Sequence, residues 1–295
     1  MSSIQFSVII PTYNRATRIS GTIQSVLNQN YKNFELLIVD DGSTDHTEVV
    51  VSSFTDERIR YFKKNNEERA IARNFGIGKA DGEYITFLDS DDKLYPNYFK
   101  EALVVIEKYD TPEWLHLAYE IKDEKGKVIR RENERKGDLN KSLITGNHLS
   151  CIGVFVRNDI IQKHQFNIDP DIIGSEDYVL WMELACLYPL RYSNKISAFM
   201  VQHSGRSVIN FNKDQLTRRI QKNIYYVTQN PSFKKSFPKK TPLFIAHRYL
   251  YLANHLSRSQ SKISSLKYYF LSIFDHPIIL FHRNSFSYLK SLILN

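Results

Sequence analysis

The chain is poor in cysteine, in long apolar runs and, over its last third, in acid. Its two cysteines, Cys151 and Cys186, stand far apart in 295 residues with no partner at metal or redox spacing. This excludes a disulfide-stapled scaffold and a cysteine-built metal site, and fits thiols in a reducing compartment. No stretch holds the roughly 18 uninterrupted apolar residues that a helix needs to cross a bilayer. The opening "MSSIQFSVIIPTYNR" has no basic leader, and its short apolar run passes directly into polar residues. It does not read as a signal peptide, and a cytoplasmic location is expected. No glycine precedes Gly21, so the first strand is not followed by a glycine-rich phosphate loop. There is no internal repeat and no DNA- or RNA-recognition motif, so nucleic acid is not an expected partner.

The shortage of acid is local. From Arg206 to Asn295 there are 15 Lys and Arg against only Asp214 and Asp275, a charge of +13, whereas the preceding 205 residues carry 25 basic and 30 acidic side chains. A near-neutral first part therefore carries a basic last third. At 42% apolar residues the chain can bury a sizeable core.

The first hundred residues alternate between two periods. "FSVIIP", "FELLIV", "IRYFK" and "YITFL" read as strands, and "ATRISGTIQSVLNQ", "GSTDHTEVVVSSF" and "EERAIARNFGIGKA" between them read as helices. This order implies right-handed βαβ units and a mostly parallel sheet, whose ligands gather beyond the carboxyl ends of the strands. Three of those ends carry polar clusters: "PTYNR" at 11–15, "DDGSTD" at 40–45 and "DSDD" at 89–92. After residue 112, "EWLHLAYEI", "CIGVFVR" and "RYSNKISAFMVQH" read as strands and "GSEDYVLWMELACLYP" as a helix. From 213 onward the pattern is helical, rich in Lys, Arg, Tyr and Phe and punctuated by proline.

"DSDD" crowds Asp89, Asp91 and Asp92 into four positions. Like charges so close raise one another's pKa unless a positive group sits among them. Two carboxylates two residues apart at a strand end suit a hard divalent cation, Mn²⁺ or Mg²⁺; the plainer alternative is a turn or helix cap, to which Asp92 is assigned. Asp40 and Asp41 precede the capping residues Ser43 and Thr44 of the next helix and add charge at the same edge, whereas Asp45 is explained by the helix dipole. Glu176 and Asp177 fit equally the first turn of a helix or a functional acid pair.

In order and spacing, "SVIIPTYNR", "LLIVDDGSTD", "ARNFGI" with "GEYITFLDSDD", and "SEDYVLWMELA" resemble the family-2 inverting glycosyltransferases of the GT-A fold, from about residue 5 to 210. The resemblance implies a Rossmann-like α/β domain over 1–210, with a mixed, mostly parallel sheet flanked by helices. Residues 1–112 would form its nucleotide-sugar half and 113–210 its acceptor half, and 211–295 would be a basic, aromatic-rich helical extension. It implies a nucleotide-binding set of Pro11, Tyr13 against the base, Asp40, Asp41 accepting from a uracil ring nitrogen, Arg73, Asn74 and Asp89. Asp91 would be the direct metal ligand, with Asp89 and His203 beside it, and Arg206 would reach the diphosphate. Asp177 would be the catalytic base, with Glu176 and Trp181 on the acceptor side. The chain departs from the family pattern at "NNEER" before "ARN", where many members are glycine-rich, and at Val179 and Glu183, where an acid and an Arg are common.

The expected reaction is metal-dependent transfer of a sugar, from a UDP-sugar by preference, to a glycan or lipid-linked acceptor in cell-surface polysaccharide synthesis. A sugar-phosphate nucleotidyltransferase is the alternative, disfavoured by the missing phosphate loop; an inactive, membrane-bound relative serving as a scaffold is another, disfavoured by the intact acidic clusters. The basic tail suits an anionic membrane surface, with Phe286, Leu289 and Ile293 at helical spacing near the end, and so a peripheral location on the inner face of the cell membrane.

Overall fold

A computed structural model describes residues 4–132, 134–206, 212–258 and 261–294. Along the chain run β1 (Phe6–Thr12), α1 (Ile19–Leu27), β2 (Phe34–Asp40), α2 (Thr47–Ser52), β3 (Ile59–Lys63), α3 (Arg69–Ile77), β4 (Tyr84–Phe87), β5 (Lys93–Leu94), α4 (Tyr98–Lys108), β6 (Trp114–Asp123) and β7 (Val128–Arg131). They are followed by α5 (Leu139–Ser142), β8 (Val154–Arg157), α6 (Asn158–Ile161), α7 (Glu176–Leu187), β9 (Arg191–Gln202), α8 (Lys213–Gln229), α9 (Pro231–Ser236), α10 (Thr241–Arg258), α11 (Lys262–Asp275) and α12 (Arg283–Leu294). The chain divides into two compact units. The first comprises residues up to Gly137, Leu149–Phe166 and Tyr188–Arg206; the second comprises Asp138–His148, Asn167–Leu187 and the residues from Ser207 on. The boundary expected between 210 and 211 falls on residues outside those described.

The first unit is built on one sheet in the order β3-β2-β1-β4-β8-β6-β9-β5, with β7 paired to β6. β1 and β2 are buried along their whole length, as continuous β-branched strands covered on both faces must be. β1 runs parallel to β2 and β4, and β2 parallel to β3, so this half is the βαβ array that the alternating pattern predicts. β8 then enters antiparallel between β4 and β6, while β6 and β9 are parallel. The sheet is therefore mixed. Helix α3 lies so close on β1 that a Cβ at Gly76 would stand 2.6 Å from Ile9 Cγ2, which fixes glycine there.

One pairing positions the site. The two-residue β5 runs antiparallel to β9, Lys93 opposite Phe199 and Leu94 opposite Ala198. It thereby carries the "DSDD" turn, which precedes β5, to the end of β9, from which "QHSGR" emerges.

The second unit is helical. Its core gathers Leu216 and Ile220 of α8, Leu250, Leu252 and Leu256 of α10, Tyr268 and Tyr269 of α11 and Tyr288 of α12. α8 opens with a capping box: Asn212 Oδ1 accepts from Gln215 N at 2.8 Å and Gln215 Oε1 from Asn212 N at 3.4 Å.

In the first unit's core Phe99 is fully buried, stacked on Phe6 at 5.0 Å and tilted against Phe34 at 5.1 Å by ring centroids. Phe99→Ala is expected to lower the free energy of unfolding by about 3–5 kcal/mol, read from the urea midpoint at unchanged slope. A loss below about 1 kcal/mol would show that this aromatic cluster is not close-packed.

Candidate active site

The chain leaves β4 through a tight turn in which Asp92 N donates to the Asp89 carbonyl at 3.0 Å. Asp92 is 1% exposed. Its Oδ1 accepts from Val201 N at 3.0 Å and from Arg206 Nη1 at 2.8 Å, and the same guanidinium nitrogen donates to the Val201 carbonyl at 3.0 Å. Asp92 is thus more than the turn or capping residue the sequence suggests: its side chain ties the end of β9 to the acidic turn. His203 follows directly, with its side chain inaccessible. Its Nδ1 accepts from Gly205 N at 3.1 Å, which leaves the ring proton on Nε2, 2.9 Å from Asp91 Oδ2. Arg15 Nε lies 3.8 Å from the same oxygen. Asp89 Oδ1 accepts from Arg73 Nη2 at 2.8 Å, and Arg73 itself is buried, with its guanidinium over the Phe166 ring.

Each acid therefore has its own arginine within the first unit, Arg73 for Asp89, Arg15 for Asp91 and Arg206 for Asp92, and Asp91 also accepts from the neutral His203 ring. Burial pushes the Asp89 carboxyl up, and Arg73, Arg69 and Arg206 more than reverse this, holding it below the ordinary value. Burial dominates at Asp92, with Asp89 and Asp91 adding to it against Arg206, and lifts its pKa to about 7. Two neighbouring carboxylates at one strand end thus differ in charge state near neutrality. Asp89 is ionised, and Asp92 sits close to its midpoint.

The expected metal site is only partly drawn by these contacts. Among the described residues no three His, Cys, Asp or Glu side chains come together as a group that could hold a metal ion. His203, expected as a ligand, turns an N–H rather than a lone pair toward Asp91. What fits a hard cation is the oxygen pair of Asp89 and Asp91, and such ions commonly bind through one or two carboxylates with the rest of the shell from phosphate and water.

The remaining nucleotide candidates line the ends of β1 and β2. Pro11 is buried opposite Val39, and Tyr13 is 45% exposed, an open aromatic face beside the strand ends. Asp40 is fully buried, its Oδ1 accepting from Ser43 N at 2.7 Å and its Oδ2 from the Tyr61 hydroxyl. Asp41 accepts from Lys64 Nζ at 2.7 Å, Glu67 N at 3.1 Å and Glu68 N at 2.8 Å. Its carboxylate laces down the charged loop before α3, and a base hydrogen bond would compete with these three donors. Asn74 forms a two-way clamp with the Phe166 backbone, Nδ2 to O at 2.8 Å and N to Oδ1 at 2.9 Å.

Glu176, Asp177 and Trp181 lie in the second unit, on the first turns of α7. Asp177 Oδ2 accepts from Asn147 Nδ2 at 3.1 Å and its Oδ1 from Tyr178 N at 2.7 Å. Glu176 is buried, folded back to accept from Gly174 N. Trp181 is fully buried. Sequence reasoning passed over Arg15 and Asn147. Arg15 stood inside the quoted "PTYNR", whereas Asn147 belongs to no motif and only the fold brings it to Asp177.

Comparison with known proteins decides the family. The model described as "Glycosyl transferase family 2" matches residues 7–156, which carry three of the four motif clusters. The chain belongs to that family. A Rickettsia felis protein described as an uncharacterized glycosyltransferase is 41% identical over 182 residues, 61% of this chain and 30% of its own. The chain spans about 30% of the length of this relative and of similar proteins from Rickettsia bellii and Rickettsia conorii, which are thus much longer. An Escherichia coli relative named UDP-Glc:alpha-D-GlcNAc-diphosphoundecaprenol beta-1,3-glucosyltransferase is 32% identical over 185 residues, 62% of this chain and 71% of its own. Among solved structures, Staphylococcus aureus TarS 1–349 in complex with UDP-GlcNAc superposes with a TM-score of 0.63 at 18% identity, over 90% of this chain and 89% of that one. Pyrobaculum calidifontis mannosyltransferase PcManGT, in complex with GDP-Man and Mn²⁺, gives 0.59 at 15% identity, over 99% and 85%. These likenesses show the fold: this member of the family is a GT-A α/β protein with C-terminal helices.

The Asp92 shift has a measurable sign. Its folded-state pKa lies above the ordinary 3.8, so proton binding favours the folded chain. That contribution is greatest below about pH 4, declines as pH rises and is gone above about pH 7. The unfolding free energy of the wild type minus that of Asp92→Asn should therefore fall between pH 4 and 7 and then level. A pH-independent difference would contradict the raised pKa.

Proposed function

We propose that this glycosyltransferase moves a sugar from a UDP-linked donor to a hydroxyl of a lipid-linked or glycan acceptor, with inversion at the anomeric carbon. The observation that carries the reading is the acidic turn, with Asp89 held by Arg73, Asp91 by His203 and Arg15, and Asp92 by Arg206, beyond the ends of parallel strands where such folds bind nucleotides. Tyr13 offers an open ring for a nucleobase, and Asp89, kept ionised by Arg73, suits the ribose hydroxyls.

In the reaction the acceptor oxygen attacks the anomeric carbon as the bond to the nucleoside diphosphate breaks, through an oxocarbenium-like transition state. Asp177 is assigned the acceptor proton, and Asn147, bonded to its Oδ2, orients the carboxylate. Asp91 and Asp89 would hold Mn²⁺ or Mg²⁺, whose charge stabilises the departing diphosphate. His203 keeps Asp91 in place, and Arg206, bonded to Asp92, adds positive charge on the same side. The UDP preference is supported by the E. coli relative's name and by the UDP-GlcNAc in the TarS complex; the lipid-linked acceptor is supported by the former. A membrane-attached acceptor would place this chain at a membrane surface.

The test is release of UDP from a panel of UDP-sugars with Mn²⁺, with and without acceptor. Asp177→Asn should lower transfer by about 10²–10⁴-fold while leaving donor binding intact, and Asp91→Ala should weaken metal-dependent donor binding as well. Near-normal turnover of Asp177→Asn would remove the base assignment, and release from no UDP-sugar would remove the donor class.

A further inference from the structure

The second unit contains a helix whose polarity is inverted. Helix α11 buries Ser265, Tyr268, Tyr269 and Ser272. Each buried serine has a partner, Ser265 Oγ bonding the Ala253 carbonyl at 2.9 Å and the Tyr288 hydroxyl at 3.0 Å, and Ser272 Oγ the Tyr269 carbonyl at 2.6 Å. Tyr269 stacks on Tyr288 with ring centroids 4.4 Å apart. The opposite stripe, spaced i, i+3, i+7, i+11, is Ile263, Leu266, Phe270 and Phe274, exposed by 86%, 38%, 64% and 86%. A helix covering an aqueous surface has the reverse arrangement. The exposed apolar residues continue past the helix to Phe281, at 81%, and Phe286 on α12. Contiguous exposed apolar surface of this kind marks an interaction site.

The charges around the stripe select the partner. Lys262 and Lys267 lie on α11, Arg283 and Lys290 on α12, and Asp275 is the one acid from residue 262 to the end. Two copies of this face would bring like charges together, whereas an anionic lipid surface complements them while its acyl region takes up the apolar stripe. Among the described residues no helix is long and apolar enough to cross a membrane, so the helix would lie in the plane of the interface. We infer that α11, with the Phe281 and Phe286 region beside it, is a monolayer-insertion surface for anionic phospholipid. The sequence pointed to Phe286, Leu289 and Ile293 of the last helix. The first two are exposed, the side chain of Ile293 lies outside the described residues, and among the described residues the longest exposed stripe belongs to α11. The inference stands on these helices and does not depend on the sugar-transfer reading.

The experiment is vesicle co-sedimentation of the full chain with phosphatidylglycerol-containing and pure phosphatidylcholine vesicles, with sedimentation velocity without lipid. The wild type should bind the phosphatidylglycerol vesicles more tightly. Phe270→Ser with Phe274→Ser should weaken that binding by roughly a hundredfold at an unchanged melting temperature, since both rings already face solvent. Lys262→Gln with Lys267→Gln should reduce the preference for anionic lipid, and adding Arg283→Gln and Lys290→Gln should abolish it while leaving residual binding. The inference is overturned if the wild type ignores phosphatidylglycerol vesicles or if the Phe variant binds like the wild type. It is also overturned if the wild type sediments as a dimer that the Phe variant turns into a monomer, because the stripe would then cover a second copy. Asp91→Ala should bind vesicles normally, which separates this result from failure of the proposed chemistry.

Discussion

The buried contact between Asp92, Arg206 and the Val201 backbone is the constraint on which the site depends. A carboxylate removed from water needs donors, and removal of one partner from a buried charged pair is strongly destabilising because the other charge is left uncompensated. Asp92 meets that need with a backbone N–H of β9 and a guanidinium from the segment that follows it, more than a hundred residues later in the chain. The pairing of β5 with β9 sets the approach and the ion pair locks its end. The locked end then determines where His203 points, and His203 holds Asp91. A short sheet edge, a single ion pair and one imidazole thus fix the acid that the proposed chemistry needs most.

Electrostatics explains why such a cluster is stable before any substrate arrives. Three acids in one turn would repel, but arginines from α3, from the loop after β1 and from the segment after β9 converge on them. The countercharge that the sequence suggested would be a divalent cation is supplied in the folded chain by its own residues. A diphosphate entering with a cation would meet both signs of charge already placed, with little rearrangement of the carboxylates.

Much of this was legible in sequence where the signal was local. The buried runs "FSVIIP" and "FELLIV", the strand-end acids and the helix after "SED" all follow from period and residue type. The buried face of α3 comprises Ala70, Ala72, Arg73, Gly76 and Ile77, and the two members that spacing of apolar residues does not single out have particular partners: Arg73 reaches Asp89 and Gly76 admits Ile9. Asp41 looked like a free acceptor because the loop that occupies it folds back from residues 64–68. Asp92 looked like a turn residue because its partners, Val201 and Arg206, lie over a hundred positions away. The inverted polarity of α11 was illegible for a different reason: periodicity shows that a helix has an apolar stripe, and packing decides whether that stripe faces in.

The central claim, that the β9 end holds the acidic turn ready for a cation-bound diphosphate, is tested most directly by calorimetric titration of UDP with and without Mn²⁺ in the wild type and Arg206→Gln. Mn²⁺ should tighten UDP binding to the wild type by at least about tenfold, and Arg206→Gln, less stable than the wild type but shown by circular dichroism to be folded at the titration temperature, should lose most of that gain. UDP affinity indifferent to Mn²⁺ in the wild type, or a full Mn²⁺ gain retained by Arg206→Gln, would contradict it.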